Sequence, residues 1–143
     1  MSEPCVFCAI VAGTAPAATV CENALALAVL TIGPIRPGHA LVIPKRHAVE
    51  FPDATSEELA AVFGLGADVA RRQRRALRSR GETLFLASGV AGEQSVFHLH
   101  LHVVPRHDGD GLGLTEWWQE RFKHPERAIL DSIAKQLRES EAG

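Results

Sequence analysis

Gln94-Ser95-Val96-Phe97-His98-Leu99-His100-Leu101-His102-Val103-Val104-Pro105-Arg106 is the stretch on which the reading of this chain turns. From His98 to Val103 polar and apolar residues alternate. An extended backbone therefore sends three imidazoles to one face and Leu99, Leu101 and Val103 to the other. The apolar face has an obvious use in packing. Three imidazoles at period two have none, because they gather polar ring nitrogens that water would serve better. Such a row supplies a nucleophile, a proton shuttle or metal ligands, and the residues alone leave all three open.

Outward from this strand, Thr19 to Glu22, Leu25 to Ile32 and His39 to Pro44 are short runs bounded by Asn, Gly or Pro and read as strands. Thr83 to Ser88 and Val96 to Val104 add two more, giving five. Thr55 followed by Glu58 is a capping box, and the apolar spacing of Leu59, Val62, Phe63, Gly66, Val69, Ala70 and Leu77 predicts a helix over about 55–80, ended by Gly81. Past the Asp/Gly loop at 108–113, Thr115 caps a short helix bearing Trp117 and Trp118. Pro125 opens another, with Ile129, Ile133 and Leu137 on one stripe. This order predicts an α+β fold with a five-stranded antiparallel sheet, one long helix and C-terminal helical segments. Residues 1–107 form the domain, and 108–143 form an extension packed on it.

A chain of 143 residues that is 46% apolar supports one hydrophobic core. Its net charge of −2 argues against a nucleic-acid partner, with Arg71, Arg72, Arg74, Arg75, Arg78 and Arg80 read as the solvated end of the helix. No apolar run approaches the roughly 20 residues of a membrane span, so no membrane partner is expected. Val6 to Ala12 faintly resembles a secretory signal, but Glu3 and the late first cation, Arg36, mark it as mature sequence. Three cysteines, an odd number, fit a reducing cytoplasm.

Cys5 and Cys8 form a C-x-x-C pair. If His47 and one triad histidine join them, the set is Cys2His2, a closed structural zinc site. The pair could be redox-active or simply buried, although no thioredoxin-like βαβ pattern surrounds it, and His98, His100 and His102 could instead hold a catalytic zinc with an open water position. Cys21 reads as a small strand residue. His39, His107 and His124 read as structural or solvated, and Arg36, Lys45, Arg46 and Arg106 as edge cations that could also attract phosphate.

Pro37-Gly38-His39, Leu41-Val-Ile-Pro44-Lys-Arg-His47 and the Gln94 to Arg106 stretch together resemble the histidine-triad (HIT) family of nucleotide hydrolases and transferases, over about residues 5–107. The Cys5/Cys8 pair resembles that of zinc-containing bacterial members. The resemblance implies a HIT-like fold, a homodimer joined through the long helix and the strand preceding the site, and structural zinc on Cys5, Cys8, His47 and His98. It implies that His100 attacks the α-phosphorus of a nucleoside phosphate derivative. His102 then donates to phosphate oxygen, Ser95 serves the leaving group and Gln94 positions phosphate or water. It also implies a base pocket from Val6, Phe7, Ile10, Val29 and Ile32.

The pattern is broken at three places: Thr31 stands where an acidic or amide residue grips the ribose, Ala87 where Asn precedes the glycine loop, and Glu93 where Gly flanks the phosphate. The expected substrate is a purine nucleoside phosphoramidate or acyl-nucleotide. A dinucleoside polyphosphate hydrolase, a catalytic zinc hydrolase and a non-enzymatic nucleotide-binding dimer are the alternatives.

Overall fold

The computed structural model describes residues 4–113, 115 and 125–140, in two compact units, Met1–Asp110 and Gly111–Gly143. In the first unit a short helix α1 (Val6–Val11) precedes three strands, β1 (Thr19–Glu22), β2 (Ala26–Leu30) and β3 (Ala40–Pro44). Helix α2 (Ser56–Leu77) follows, then β4 (Gly81–Phe85) and β5 (Leu101–Arg106). The strands form one antiparallel sheet in the order β1-β2-β3-β5-β4. The second unit contains α3 (Arg127–Glu139), whose Ile129, Ile133 and Leu137 are exposed. Among the described residues no helix is long and apolar enough to cross a membrane.

The sheet buries both faces, which is why β2 and β3 are near-continuous apolar runs. On one face Ala26, Ala28, Ala40, Val42, Leu101 and Val103 pack against Val62, Leu65, Val69 and Ala70 of α2. The alanines let α2 lie close. At Gly66 an added Cβ would sit 3.1 Å from Leu101 Cδ2, so a larger residue there forces a shift. On the other face Phe7 of α1 packs on Leu27, Val29, Leu41 and Ile43. Each fully buried aliphatic side chain contributes about 1.5–3 kcal/mol. The two layers thus fix the sheet from both sides.

The capping box forms as expected: the Thr55 hydroxyl accepts from Glu58 N, and the Glu58 carboxylate accepts from Thr55 N. Arg46, just past β3, grips the same carboxylate with bonds of 2.6 and 2.9 Å, tying the helix start to the sheet. Glu58 is held down to about 2 by this guanidinium and by the Thr55 amide.

Several expected boundaries move. α2 stops at Leu77 because Arg78 takes the left-handed conformation at φ 55°, and Gly81 opens β4 instead of closing the helix. β5 begins at Leu101, so His98 and His100 lie ahead of the regular ladder. The Leu99 amide donates to Ala48 O, pulling this segment toward the loop after β3. β2 and β3 are each shorter than the sequence runs, and β4 ends at Phe85. Helix α1 was not expected. Its six residues are too few to show a helical period, and Cys5 Sγ caps it by accepting from Cys8 N. Trp117, Trp118 and His124 lie outside the described residues.

Candidate active site and metal centre

Although only His102 lies within β5, the three imidazoles still share the α1 face of the sheet. The Phe7 ring meets His98 at 5.7 Å and His100 at 5.3 Å, and His100 meets His102 at 5.0 Å. Each ring nevertheless has a different polar partner, and that divides their chemistry.

His98 is fully buried and is one of four residues whose ligand atoms could hold a metal ion. Its Nε2 sits 2.8 Å from Pro44 O, to which it can bond only as N–H, so Nδ1 carries the lone pair. That lone pair faces Cys5 Sγ at 3.3 Å, His47 Nδ1 at 3.3 Å and Cys8 Sγ at 3.6 Å. Cys8 Sγ in turn lies 3.2 Å from His47 Nδ1. All four ligand atoms lie within 4.8 Å of one another. Ligands around a tetrahedral zinc with bonds of about 2.0–2.3 Å stand about 3.3–3.8 Å apart, so the residues fit the ion. The donor set argues the same way: burial, then Cys5, pushes the Cys8 thiol up, and a cation relieves two adjacent sulfurs and two facing imidazole lone pairs. The Pro44 carbonyl orients His98 as an outer partner orients a metal-bound histidine.

His100 is nearly buried, and its Nδ1 lies 2.8 Å from His98 O. A carbonyl only accepts, so the proton is on Nδ1 and the Nε2 lone pair is free to react. The His100 ring is thus oriented by the backbone of His98.

His102 is set by a residue that the sequence reading placed among structural or solvated histidines. The Ile35 amide donates to His39 Nδ1 at 3.1 Å, so the His39 proton is on Nε2. That nitrogen lies 2.9 Å from His102 Nδ1, to which it donates. His102 therefore carries its own proton on Nε2, as a donor. Burial, followed by His100 and His39, pushes His102 down to about 4, and burial lowers His39 as well. Both remain neutral near pH 7.

Phe85, also absent from the sequence reading, is the register partner of His102 on β4. It stacks on the imidazole with centroids 4.0 Å apart and planes at 11°. Cross-strand register could have revealed it, but only once the β4 boundary was known. His107 is structural as expected: its Nε2 bonds Leu77 O at 3.0 Å.

The loop before the triad departs from extended backbone. Val90–Gly92 is a 3-10 turn and Glu93 sits at φ 67°. Gln94 is buried and braces this loop: its Oε1 accepts from Gly89 N, and its Nε2 donates to Val49 O and Val96 O. Its amide is thereby committed to backbone, and Ser95 is exposed beside it.

The expected base-pocket residues separate. Phe7 and Val29 are core, with Ile10 packed on them, whereas Ile32 is fully exposed where the chain leaves β2 toward Gly33-Pro34. Val6 instead lines a pocket with Ser95, Val96 and Phe97. Thr31 Oγ1 accepts from Gly33 N within the turn, and Ala87 is half-buried in the loop after β4. Around the helix end, Arg71 and Arg72 pair with Asp68, and Arg74 with Glu82.

This arrangement has relatives. The HIT domain family model matches residues 12–109. The HIT-like protein Rv1262c of Mycobacterium tuberculosis is 40% identical over 133 residues, covering 93% of this chain and 92% of its own. The adenosine 5'-monophosphoramidase hnt1 of Schizosaccharomyces pombe is 32% identical over 136 residues, covering 94% and 98%. A zinc-bound histidine triad family protein from Mycobacterium smegmatis superposes with a TM-score of 0.74 at 39% identity, covering 96% of this chain and 97% of that one. With the family model spanning most of its first unit and the histidine row set as described, the chain belongs to the HIT domain family.

Proposed function

We propose that the protein is a nucleotide hydrolase or transferase that acts at the α-phosphate of a purine nucleoside phosphoramidate or acyl-nucleotide through a nucleotidyl-histidine. The observation that carries this reading is the 2.8 Å bond between His100 Nδ1 and His98 O, which fixes the ring and presents Nε2 as the attacking nitrogen. Similarity to an adenosine 5'-monophosphoramidase supports the reaction class.

In the first step the Nε2 lone pair of His100 forms a bond to phosphorus while the P–N or P–O bond to the leaving group breaks. The leaving group departs with a proton passed from solvent through the Ser95 hydroxyl, which is thereby regenerated. In the second step water adds to phosphorus, the P–Nε2 bond breaks, and the nucleoside monophosphate leaves with His100 restored. His102 donates a hydrogen bond from its Nε2–H to a phosphate oxygen, stabilising charge as it builds. Its neutrality makes it a hydrogen-bond donor rather than a counter-ion. His39 and Phe85 hold that ring in place, and Gln94 acts through the loop it braces.

Cys5, Cys8, His47 and His98 would hold zinc, which cross-links α1, the segment after β3 and the start of the triad. The three triad rings have three separate sets of partners, an arrangement that speaks against a shared catalytic metal on His98, His100 and His102. Nucleoside binding falls to the side of Thr31 and Ile32, with Val29 a core residue and Ile10 packed against it. Pairing of two copies through β4 and α2 is supported by the edge position of β4 and by exposed Leu84, Phe85 and Phe63.

The test is hydrolysis of adenosine 5'-phosphoramidate by zinc-loaded wild type and His100→Ala, each confirmed folded. Turnover by the first and its loss in the second is the expected result. Full activity in the variant would remove His100 from the mechanism.

A further inference from the structure

Burial shields a cysteine from oxidants, and the cysteines of the metal set are only partly shielded. Of the four residues His98 alone is buried; Cys5 and Cys8 are half-buried and His47 is exposed. A pocket of about 480 Å³ opens beside them, with Cys5 and His47 in its wall next to Val6, Val49 and Phe97. A small solute therefore reaches the Cys5 side of the set without disturbing the core.

The two sulfurs are also placed to join each other. Cys5 caps α1, and Cys8 stands three residues on, in the first turn, where its amide donates to Cys5 Sγ at 3.4 Å. Residues three apart along a helical turn have Cα atoms about 5 Å apart, inside the range of about 4.4–6.8 Å that a disulfide spans. The sulfurs lie within 4.8 Å of each other, so turning the two side chains brings them together while the backbone of α1 stays in place. Cys21, on β1, stands outside this set. A disulfide sulfur carries no negative charge to offer a cation, so oxidation leaves only His47 and His98 as ligands. Two imidazoles do not close a tetrahedral site.

We propose that Cys5 and Cys8 form a site of reversible oxidation, at which a hydroperoxide entering the pocket joins them as a disulfide and the zinc held with His47 and His98 is released. The Cys5 thiolate attacks one peroxide oxygen and the O–O bond breaks. Cys5 becomes a sulfenic acid, and the other oxygen takes a proton and departs as water or an alcohol. The Cys8 thiolate then attacks the Cys5 sulfur, the S–O bond breaks, and hydroxide departs and is protonated to water. Two electrons have passed from the sulfurs to the peroxide, and a dithiol returns them by exchange. The loss is felt beyond the pair. Zinc ties residues 5, 8, 47 and 98 together, whereas the disulfide closes only the short loop from 5 to 8 and constrains the chain far less. Phe7, between the two cysteines, packs its ring against His98 and His100, so the tie that is lost runs from α1 to the histidine row. This inference rests on the zinc set and not on the nucleotide chemistry.

The experiment treats zinc-loaded wild type and Cys21→Ser, each confirmed folded, with hydrogen peroxide, then quenches with catalase and alkylates free thiols. Released zinc is read with a chromogenic chelator against an untreated control, the disulfide by peptide mass, and Tm by calorimetry. Both proteins should release about one zinc ion for each disulfide formed, with Cys5 and Cys8 joined within one chain and Tm falling in step with the zinc lost. A dithiol with added zinc should restore both. Val6→Phe narrows the pocket without altering a ligand, so it should slow disulfide formation by about three-fold or more at unchanged zinc content. Thiols and zinc that survive peroxide, a disulfide through Cys21 or between chains, sulfinic acid with no disulfide, or a Val6→Phe rate equal to wild type would overturn the proposal and leave the zinc set standing. A chain that takes up no zinc would overturn the zinc set, and this inference with it.

Discussion

Removing His39 isolates the control of His102. In His39→Ala, His102 Nδ1 loses the donor 2.9 Å away, so the tautomer with its proton on Nε2 is no longer selected and the ring is free to turn. A neutral hydrogen bond of this kind contributes about 0.5–1.5 kcal/mol net, and an unpaired buried acceptor costs about 1–3 kcal/mol. About 1–2 kcal/mol of the productive arrangement is therefore at stake. That corresponds to a fall in kcat of about 5- to 30-fold, with KM little changed, because the nucleoside contacts are untouched. His39→Gln keeps an N–H close to the position of Nε2 and should recover most of the loss. Steady-state kinetics on adenosine 5'-phosphoramidate, with urea denaturation of each variant to separate stability from rate, is the assay. A folded His39→Ala variant with wild-type kcat, or a His39→Gln variant no better than His39→Ala, would refute the relay.

Other expectations follow from the same geometry. Phe85→Ala removes the ring stacked on His102 and lets in water, so His102 should rise from about 4 toward its ordinary 6.5, while Phe85→Tyr keeps it low; NMR titration of His102 reads both, and no change in the alanine variant contradicts the shielding. His102 is depressed in the folded state, so the unfolded chain takes up its proton first. Stability is full above about pH 6.5 and declines by up to about 3 kcal/mol as pH falls toward 4. His102→Gln should flatten that part of the urea-denaturation profile, and an unchanged slope would count against it. Glu58 has the acid-side counterpart: its contribution is present above about pH 4.5 and lost as pH falls toward 2, and Glu58→Gln should remove that limb. Cys8→Ser deletes one of four ligands, so bound zinc and thermal stability should fall together, because metal affinity is part of folding free energy. Elemental analysis beside calorimetry checks it, and loss of zinc with no change in Tm would deny the metal a structural role.

Much of this architecture is legible in residue order because local rules and tertiary packing agree. Thr55 and Glu58 announce the start of α2, and the leucine/histidine alternation picks out Leu99, Leu101 and Val103 as buried apolar residues. Disagreement arises where side chains capture the backbone. The Leu99 amide and the His98 and His100 rings bond loop and backbone carbonyls ahead of β5, so the strand begins three residues after His98. C-x-x-C spacing and family likeness point to Cys5, Cys8, His47 and His98, and the structure adds the orienting bond from His98 to Pro44. His39 stands in the Pro37-Gly38-His39 motif, but nothing local to it shows that its ring faces His102. Its role emerges from the Leu41–His102 register, which sets β3 beside β5. Phe85 and the pocket around Ser95 depend on chain segments far apart in sequence, and no local signal could have joined them.

The central claim is a covalent bond between His100 Nε2 and the α-phosphorus. It is tested most directly by mixing zinc-loaded protein with adenosine 5'-phosphoramidate, quenching within the first turnover under alkaline denaturing conditions that preserve a P–N bond, and measuring intact and peptide masses. The account predicts one adenylyl group, confined to the peptide carrying His100 and absent from His100→Ala. Turnover in wild type without any such adduct, together with activity retained in His100→Ala, would contradict it.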